Sequence, residues 1–514
     1  MKRYYILILL FTIVSQSQNF QWVDNPAIVL STNPDLVGYV VTTDHSDNIY
    51  FAGYKDTPYN YGITYGSVYF RKYNPTGAVL FSKIISGRVS IINMVSDSSD
   101  NIIVSASFVT SISIDSQTIN ALDSGDNQII LKFDSSGNLL WYLNINATLS
   151  GSDPIIALTT DTSNNIYIGY DDFNNSYINK ISPIGTILAT ISQLHVNVIS
   201  SVTVDELGNI YSAGGCAASN ASFAGVAVNP NMTYTTYATK YDVNGVHQWT
   251  RYVQDITCSN PNIIAKNHDE IYFSSQLYGS YSFGALTSSG ISSSSQGDFF
   301  IAKLNSAGVF QWVQEVPGTG TSNVFSGKRN YLNVDNQGNI LFVGRTKGTI
   351  NWNTTLSTTT TGNYYDGLVL KYNSSGQILM AKTAVGSLTD RFDGVVSASD
   401  GSIYISGVLG GNVNFDGITV TSSGSTNYPI IAKIGSTLST VQNELPNFSI
   451  VRNPTLDYLE FSSSLDIIKG TIYSTLGQKI KSFETNSKID VQNLSSGIYF
   501  LQLDDKRVFK FVKQ

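Results

Sequence analysis

Three short patterns recur in the same order along most of the chain, and a repeat of this kind limits the fold more than any single residue does. The first is a polar turn and an Asn-Ile-Tyr-like step. It appears as Asn48-Ile49-Tyr50, Asn101-Ile102-Ile103, Asn165-Ile166-Tyr167, Asn209-Ile210-Tyr211, Glu270-Ile271-Tyr272, Asn339-Ile340-Leu341 and Ser402-Ile403-Tyr404. The second is an apolar run closing on lysine: Lys72, Lys132, Lys180, Lys240, Lys303, Lys371 and Lys433. The third follows a glycine turn and often carries tryptophan, as in Leu80-Phe81, Leu140-Trp141, Ile187-Leu188, Gln248-Trp249, Gln311-Trp312 and Leu379-Met380. The isoleucines recur 44 to 69 residues apart, the length of one four-stranded propeller blade with variable loops.

Each repeat reads as strands a to d. Strand a precedes the turn, b is the Asn-Ile-Tyr step, c ends at the lysine and d carries the tryptophan. Turns such as Asp205-Glu206-Leu207-Gly208 suit the a–b reversal, because Asp accepts backbone hydrogen bonds and Gly permits positive φ. The repeat after Lys433 lacks its tryptophan strand, while Phe20-Gln21-Trp22-Val23 copies Phe310-Gln311-Trp312-Val313. The N-terminal strand is therefore expected to complete the last blade. The expected fold is all-β: a seven-bladed propeller, with no open edge at the join. The b–c segments are long and divergent (Gly214 to Thr235, Gln276 to Gly297, Thr346 to Tyr365) and define the expected functional face. Phe283-Gly284, Trp352 and Phe415-Asp416-Gly417 suggest hairpins within such segments.

Only 13% of the 514 residues are charged, and 42 are glycine. With 42% hydrophobic and 12% aromatic residues, the chain can build a core from strands and turns. The net charge of −7 comes without a basic cluster, which speaks against nucleic acid. Over residues 20 to 435 the pattern resembles the bacterial seven-bladed β-propeller repeat family. That resemblance implies the fold and a secreted setting, and no defined catalytic residues.

The two ends carry addresses. Lys2 and Arg3, the apolar run Ile6 to Val14, and small residues at Ser15 and Ser17 read as a signal peptide cleaved between Ser17 and Gln18. No segment has the length of a transmembrane helix. After a connector over 436–446, the landmarks Asn453-Pro454, Asp457, Leu459, Gly477-Gln478, Gly497 and Tyr499 appear in order. They resemble the type A C-terminal sorting domain of the type IX secretion system, with Val451-Arg452 in place of the usual aromatic-Pro. The resemblance implies the secretion machinery as partner and a secreted or outer-membrane-surface location. The expected domains are thus 1–17 signal peptide, 18–435 propeller, 436–446 linker and 447–514 sorting domain.

No motif supplies chemistry directly. His45, His195, His247 and His268 lack metal-site spacing, and no nucleophile elbow or zincin motif occurs. No cofactor is expected. The Asp-x-x-Gly turns read as turn caps rather than calcium loops, and the seven lysines as repeated ion pairs. Two function classes remain. One is a non-enzymatic scaffold binding an extracellular glycan, protein or matrix ligand through the long b–c loops. The alternative is a polysaccharide hydrolase or lyase, which needs carboxylates converging at the propeller mouth. Cys216 follows strand b and Cys258 strand d of one blade, so both emerge on the long-loop face and are expected to form a disulfide. That bridge would constrain the unfolded chain by roughly 3–4 kcal/mol.

Overall fold

The computed structural model describes residues 18–25, 38–55, 59–61, 63–145, 154–230, 235–254, 261–277, 281–288, 297–317, 323–421, 427–436, 448–450, 453–463, 468–485, 488–503 and 508–514. Among them the regular elements are all β-strands. The chain divides into two compact units, Met1–Thr437 and Leu438–Gln514. The signal-peptide segment through Ser17, the connector 437–446 and Cys258 lie outside the described residues, as does the side chain of Cys216.

In the larger unit a four-strand antiparallel group recurs, and each group is named here by its lysine. In the Lys303 group, Asn262–Asn267, Glu270–Leu277, Asp298–Leu304 and Phe310–Glu315 pair in sequence order. Val79–Ser96 and Ile187–Val204 are each 18 residues long and run through two groups. Each serves first as strand d of one group and then as strand a of the next, pairing with a new partner in each half. One segment from every strand a lines a single axial cavity of about 190 Å³. Thr42, Asn93, Leu158, Ser201, Asn262, Asn333 and Val395 represent those segments. Meander sheets packed round an axis in this way make a β-propeller.

The Lys433 group takes its fourth strand from the other end of the chain. Gln18–Asp24 pairs antiparallel with Asn427–Ser436, and Trp22 sits opposite Lys433 as Trp312 sits opposite Lys303. The N-terminal strand thus closes the last blade.

The repeated polar residues form one construction. Asp44 Oδ1 accepts the N–H groups of Ser46 and Asn48, and its Oδ2 accepts from Asn48 Nδ2 and the Tyr50 hydroxyl. Lys72 Nζ completes the shell at 3.0 Å. The same ion pair joins Lys132 to Asp97 (2.8 Å), Lys303 to Glu270 (2.5 Å) and Lys371 to Asp335 (3.0 Å). The turn acids are therefore caps whose oxygens are occupied by protein donors. Burial alone would push the Asp97 and Asp335 carboxyls up. The lysine and asparagine donors outweigh it and hold both below the usual carboxylate value.

Above each strand-b tyrosine lies the lysine, 5.0 Å from the Tyr50 ring and 5.7 Å from the Tyr272 ring. The strand-d aromatic packs on the same tyrosine, with ring centroids 6.0 Å apart for Tyr272 and Trp312. Both cation and indole then reach the neighbouring group. Trp312 Nε1 (3.1 Å) and Lys303 Nζ (3.3 Å) each donate to Ser374 O, in the next c–d turn. That turn contains Gly376 at φ +80°, where a Cβ would come within 3.0 Å of the Trp312 ring. Glycine there supplies both the left-handed backbone and the room for the indole.

The smaller unit packs a three-stranded sheet (Phe448–Ile450, Tyr458–Ser463, Lys488–Asp490) with a four-stranded one (Lys479–Thr485, Ile468–Ser474, Gly497–Leu503, Val508–Lys513). Leu459, Ile472, Ile489, Val491, Leu501 and Phe511 form its core.

Phe20 is 5% exposed and meets Phe415 edge-on at 4.9 Å, so losing this strand empties a filled space. Deleting residues 18–24 is expected to lower the melting temperature by well over 10 °C. Phe20→Ala alone should cost about 3–5 kcal/mol in chemical denaturation. An unchanged melting temperature after the deletion would show that the strand does not close the ring.

Candidate functional site

The long b–c segments do something different from what an open loop face requires. Ile102–Ile114 and Gln117–Asn120 form a hairpin, and its first strand pairs with strand d of the preceding group, Ile85 opposite Ile114. In the Lys240 group, Phe223 lies opposite Gln193 of the preceding strand d. In the Lys433 group, Asn414 lies opposite Val385. These hairpins extend over an outer strand that would otherwise offer unpaired backbone groups. The hairpin aromatics expected from sequence are buried: Phe283 and Phe415 are fully enclosed, and Trp352 is 6% exposed with its Nε1 on Thr358 Oγ1. These three aromatic residues act as plugs, whereas Tyr364 of the same segments is 45% exposed.

The axial cavity is a second candidate feature of the larger unit. Its wall is uncharged, made of amides, hydroxyls and aliphatic side chains. Asn330 Nδ2 donates to Asn93 Oδ1 at 2.7 Å across non-adjacent groups, and Asn93 Nδ2 donates to Ile156 O. Ser201 Oγ donates to Ile263 O at 3.1 Å.

Where strands a begin, one guanidinium pairs with a carboxylate, and a second lies near enough to feel its charge. Arg391 Nε lies 2.5 Å from Asp393 Oδ1, and both side chains are almost wholly buried. Asp393 Oδ2 also accepts the Tyr39 N–H at 3.1 Å. Arg329 Nε donates to Gly38 O at 3.3 Å, and its backbone N–H donates to Asp393 O. Burial lowers the Arg329 pKa from its ordinary value, while the Asp393 charge opposes that shift. Counted as two cations and one anion, the cluster carries one net positive charge.

A pair of carboxyl groups also occurs, at the join of the Lys371 and Lys433 groups. Asp366 and Asp390 are 0% and 1% exposed. Asp366 Oδ1 accepts the Gly386 N–H at 3.1 Å, and Asp390 Oδ1 accepts the Gly410 N–H at 2.7 Å. The Oδ2 atom of each is buried without a hydrogen-bond partner among the described residues. Burial raises the Asp366 pKa to about 6, and Asp390 is pushed well above its usual value by burial with a contribution from the Asp366 charge. These carboxyls are enclosed rather than open to the mouth. Only their places gave a sequence signal: an acid opening a c strand and another in a d–a connection.

The histidines stay apart. His45 meets Asp100 at 3.3 Å, His268 meets Glu206 at 2.6 Å, and His247 Nε2 meets Thr250 Oγ1 at 2.9 Å. Among the described residues no three His, Cys, Asp or Glu side chains form a metal-sized group. No helix there is long and apolar enough to cross a membrane.

The sorting-domain landmarks fold onto one another. Asn453 Nδ2 donates to Lys510 O and its Oδ1 accepts the Val512 N–H, so the Asn453-Pro454 segment ties to the last strand. Asp457 O accepts the Val491 N–H, and Leu459 is fully buried. Gly477, at φ +75°, and Gln478 close the turn begun by Ser474. Gly497 opens the strand in which Tyr499 stacks on Phe511 at 5.6 Å and donates to Ser495 O.

Residues 450–514 match the family model described as the secretion system C-terminal sorting domain. The chain is therefore a β-propeller protein with a type IX sorting domain at its C-terminus, exported to the cell surface or beyond. A comparison with curated proteins gives no match. Among solved structures, it is similar to the Dos1 propeller at 9% identity and TM-score 0.39, covering 81% of this chain and 95% of that one. A protein of unknown function from Bacteroides caccae matches at 9% identity and TM-score 0.33, over 61% of this chain and 89% of that one. A Lactobacillus plantarum protein matches at 10% identity and TM-score 0.36, over 68% and 85% respectively.

The acid pair has a pH signature. Asp366 is harder to ionise folded than unfolded, so its contribution is fully present below about pH 3.8 and is lost as pH rises through about 6. A shift of this size is worth on the order of 2–3 kcal/mol. Asp366→Asn is expected to raise the melting temperature at pH 8 and leave it nearly unchanged at pH 4. An equal effect at both pH values would refute the buried-acid assignment.

Proposed function

We propose that the mature protein is a non-enzymatic scaffold: a seven-bladed ring delivered by its sorting domain to the cell exterior, where it binds a hydroxyl-rich ligand of the glycan class. The observation that carries this reading is the axial site. Its uncharged wall of amides, hydroxyls and aliphatic side chains includes Asn330, next in sequence to Arg329, and Val395, two residues beyond Asp393, which pairs with Arg391. Such a surface offers oriented hydrogen-bond donors and acceptors, with one cationic group for selectivity toward acidic sugars. The b–c segments contribute by fixing the rim, because three of their hairpins pair with the preceding strand d. The matched sorting domain accounts for delivery, with the secretion machinery as partner.

The purified mature chain on an array of neutral and uronic-acid oligosaccharides should show saturable binding. Arg329→Gln should weaken acidic ligands at least tenfold while leaving the melting temperature within a few degrees. Release of new reducing ends or unsaturated sugars from a bound oligosaccharide would overturn the non-enzymatic reading. In the native host, a chain ending near Thr437 should accumulate in the periplasm. Normal surface display of that truncated chain would overturn the delivery step.

A further inference from the structure

The residue opposite the strand-c lysine is large in every other group. Trp22, Phe81, Trp141, Trp249, Trp312 and Met380 face Lys433, Lys72, Lys132, Lys240, Lys303 and Lys371. Opposite Lys180 stands Ala189.

Where tryptophan is present, its placement repeats. Trp22, Trp141, Trp249 and Trp312 donate Nε1 to Pro75 O, Pro183 O, Ser306 O and Ser374 O, at 3.5, 3.0, 3.0 and 3.1 Å. Each acceptor lies in the c–d turn of the next group, and each indole lies against that turn's glycine. The lysine donates to the same carbonyl, as Lys132 does to Pro183 O and Lys433 to Pro75 O.

At the Lys180 junction the equivalent acceptor is Val243 O, before Gly245. No side chain among the described residues donates to it. A Cβ on Gly245 would meet only Ile191, two residues beyond Ala189. Lys180 Nζ stays 3.9 Å from Asp161, and its side chain is 26% exposed, against 4% for Lys132 and 16% for Lys303. Beside Lys180 and Ala189 lies an open cavity of about 610 Å³, lined among others by Tyr167, Ile191, Val243 and Gly245. That volume falls within the usual range for small-molecule sites, about 300–1,000 Å³. Its walls are strands held in one sheet and two hydrogen-bonded turns, Ala224-Gly225 and Val243-Asn244-Gly245, so the slot is formed in advance of any ligand.

We propose that this slot binds an indole group supplied from outside the chain. The ligand's ring takes the place a strand-d tryptophan fills elsewhere, packed on Tyr167 beneath Gly245, and its N–H donates to Val243 O. Four junctions of the same ring specify both parts of that chemistry: a flat aromatic of indole size and a donor on its edge. The site is separate from the axial cavity and does not depend on the glycan-binding reading.

The test uses the full mature chain with 3-methylindole and N-acetyltryptophanamide as probes, followed by chemical-shift changes and titration calorimetry. Saturable binding of either probe is expected. Tighter binding of the amide assigns the natural source to a tryptophan in a peptide, and tighter binding of 3-methylindole assigns it to a free small molecule. 1,3-Dimethylindole, which has no N–H, should bind roughly 3- to 10-fold more weakly, the loss of one hydrogen bond. Ala189→Trp should fill the slot, raise the melting temperature and abolish binding. Ala189→Met, which copies the residue at position 380, should weaken binding at least tenfold even if the larger substitution fails to fold. Absence of binding by both probes at millimolar concentration overturns the proposal. So does undiminished binding to the Ala189→Met variant.

Discussion

The ring depends on a repeated contact in which one lysine and one indole share a carbonyl oxygen of the next sheet. Propeller blades meet through side chains rather than through a continuous backbone ladder, so something directional has to set their spacing. Here Lys303 and Trp312 both end on Ser374 O, and Lys433 and Trp22 both end on Pro75 O. The cation is also held over a buried tyrosine and paired with the turn acid of its own sheet. A charge enclosed this way is costly unless every donor is used. The arrangement uses them by reaching across the boundary, which makes blade folding and blade docking one event.

The last contact depends on the placement of one strand. Trp22 can reach Pro75 O only if Gln18–Asp24 pairs beside the strand bearing Lys433. The closing strand therefore joins the ends of the ring and supplies the indole for that junction. Hairpins in the b–c segments add a second tie at the outer edge, by pairing with the preceding strand d. The wall of the axial cavity carries no charged side chain.

The two compact units each have a core of their own. The larger unit offers the polar axis and the empty indole position, while the smaller carries the sorting landmarks on a core of its own. Asn453 shows why those landmarks recur as a set. Its side chain bonds to the last strand of the domain, so residues far apart in sequence stabilise one another.

The sequence by itself determined the repeat, the strand roles, the closing strand and the sorting domain. Each is a local pattern: lysine at the end of an apolar run, Phe-Gln-Trp-Val appearing twice, Asn-Pro followed at fixed distances by Leu-Gly and Gly-Ile-Tyr. Local hydrogen-bonding rules and strand alternation are enough to read them. The gap at Ala189 was also written there, since Ile187-Leu188 occupies the motif without an aromatic residue after it. Only the tertiary structure decided which face of each long segment is buried. Phe283, Trp352 and Phe415 look like loop-tip aromatics in one dimension, yet they are enclosed because chain-distant strands fold against them: Phe283 meets Phe300 and Phe310, Phe415 meets Phe20 and Phe392, and Trp352 meets Phe299. Asp366 and Asp390, 24 residues apart, become an acid pair for the same reason. The position of one sheet against the next depends on the whole ring closing, and no local segment carries that information.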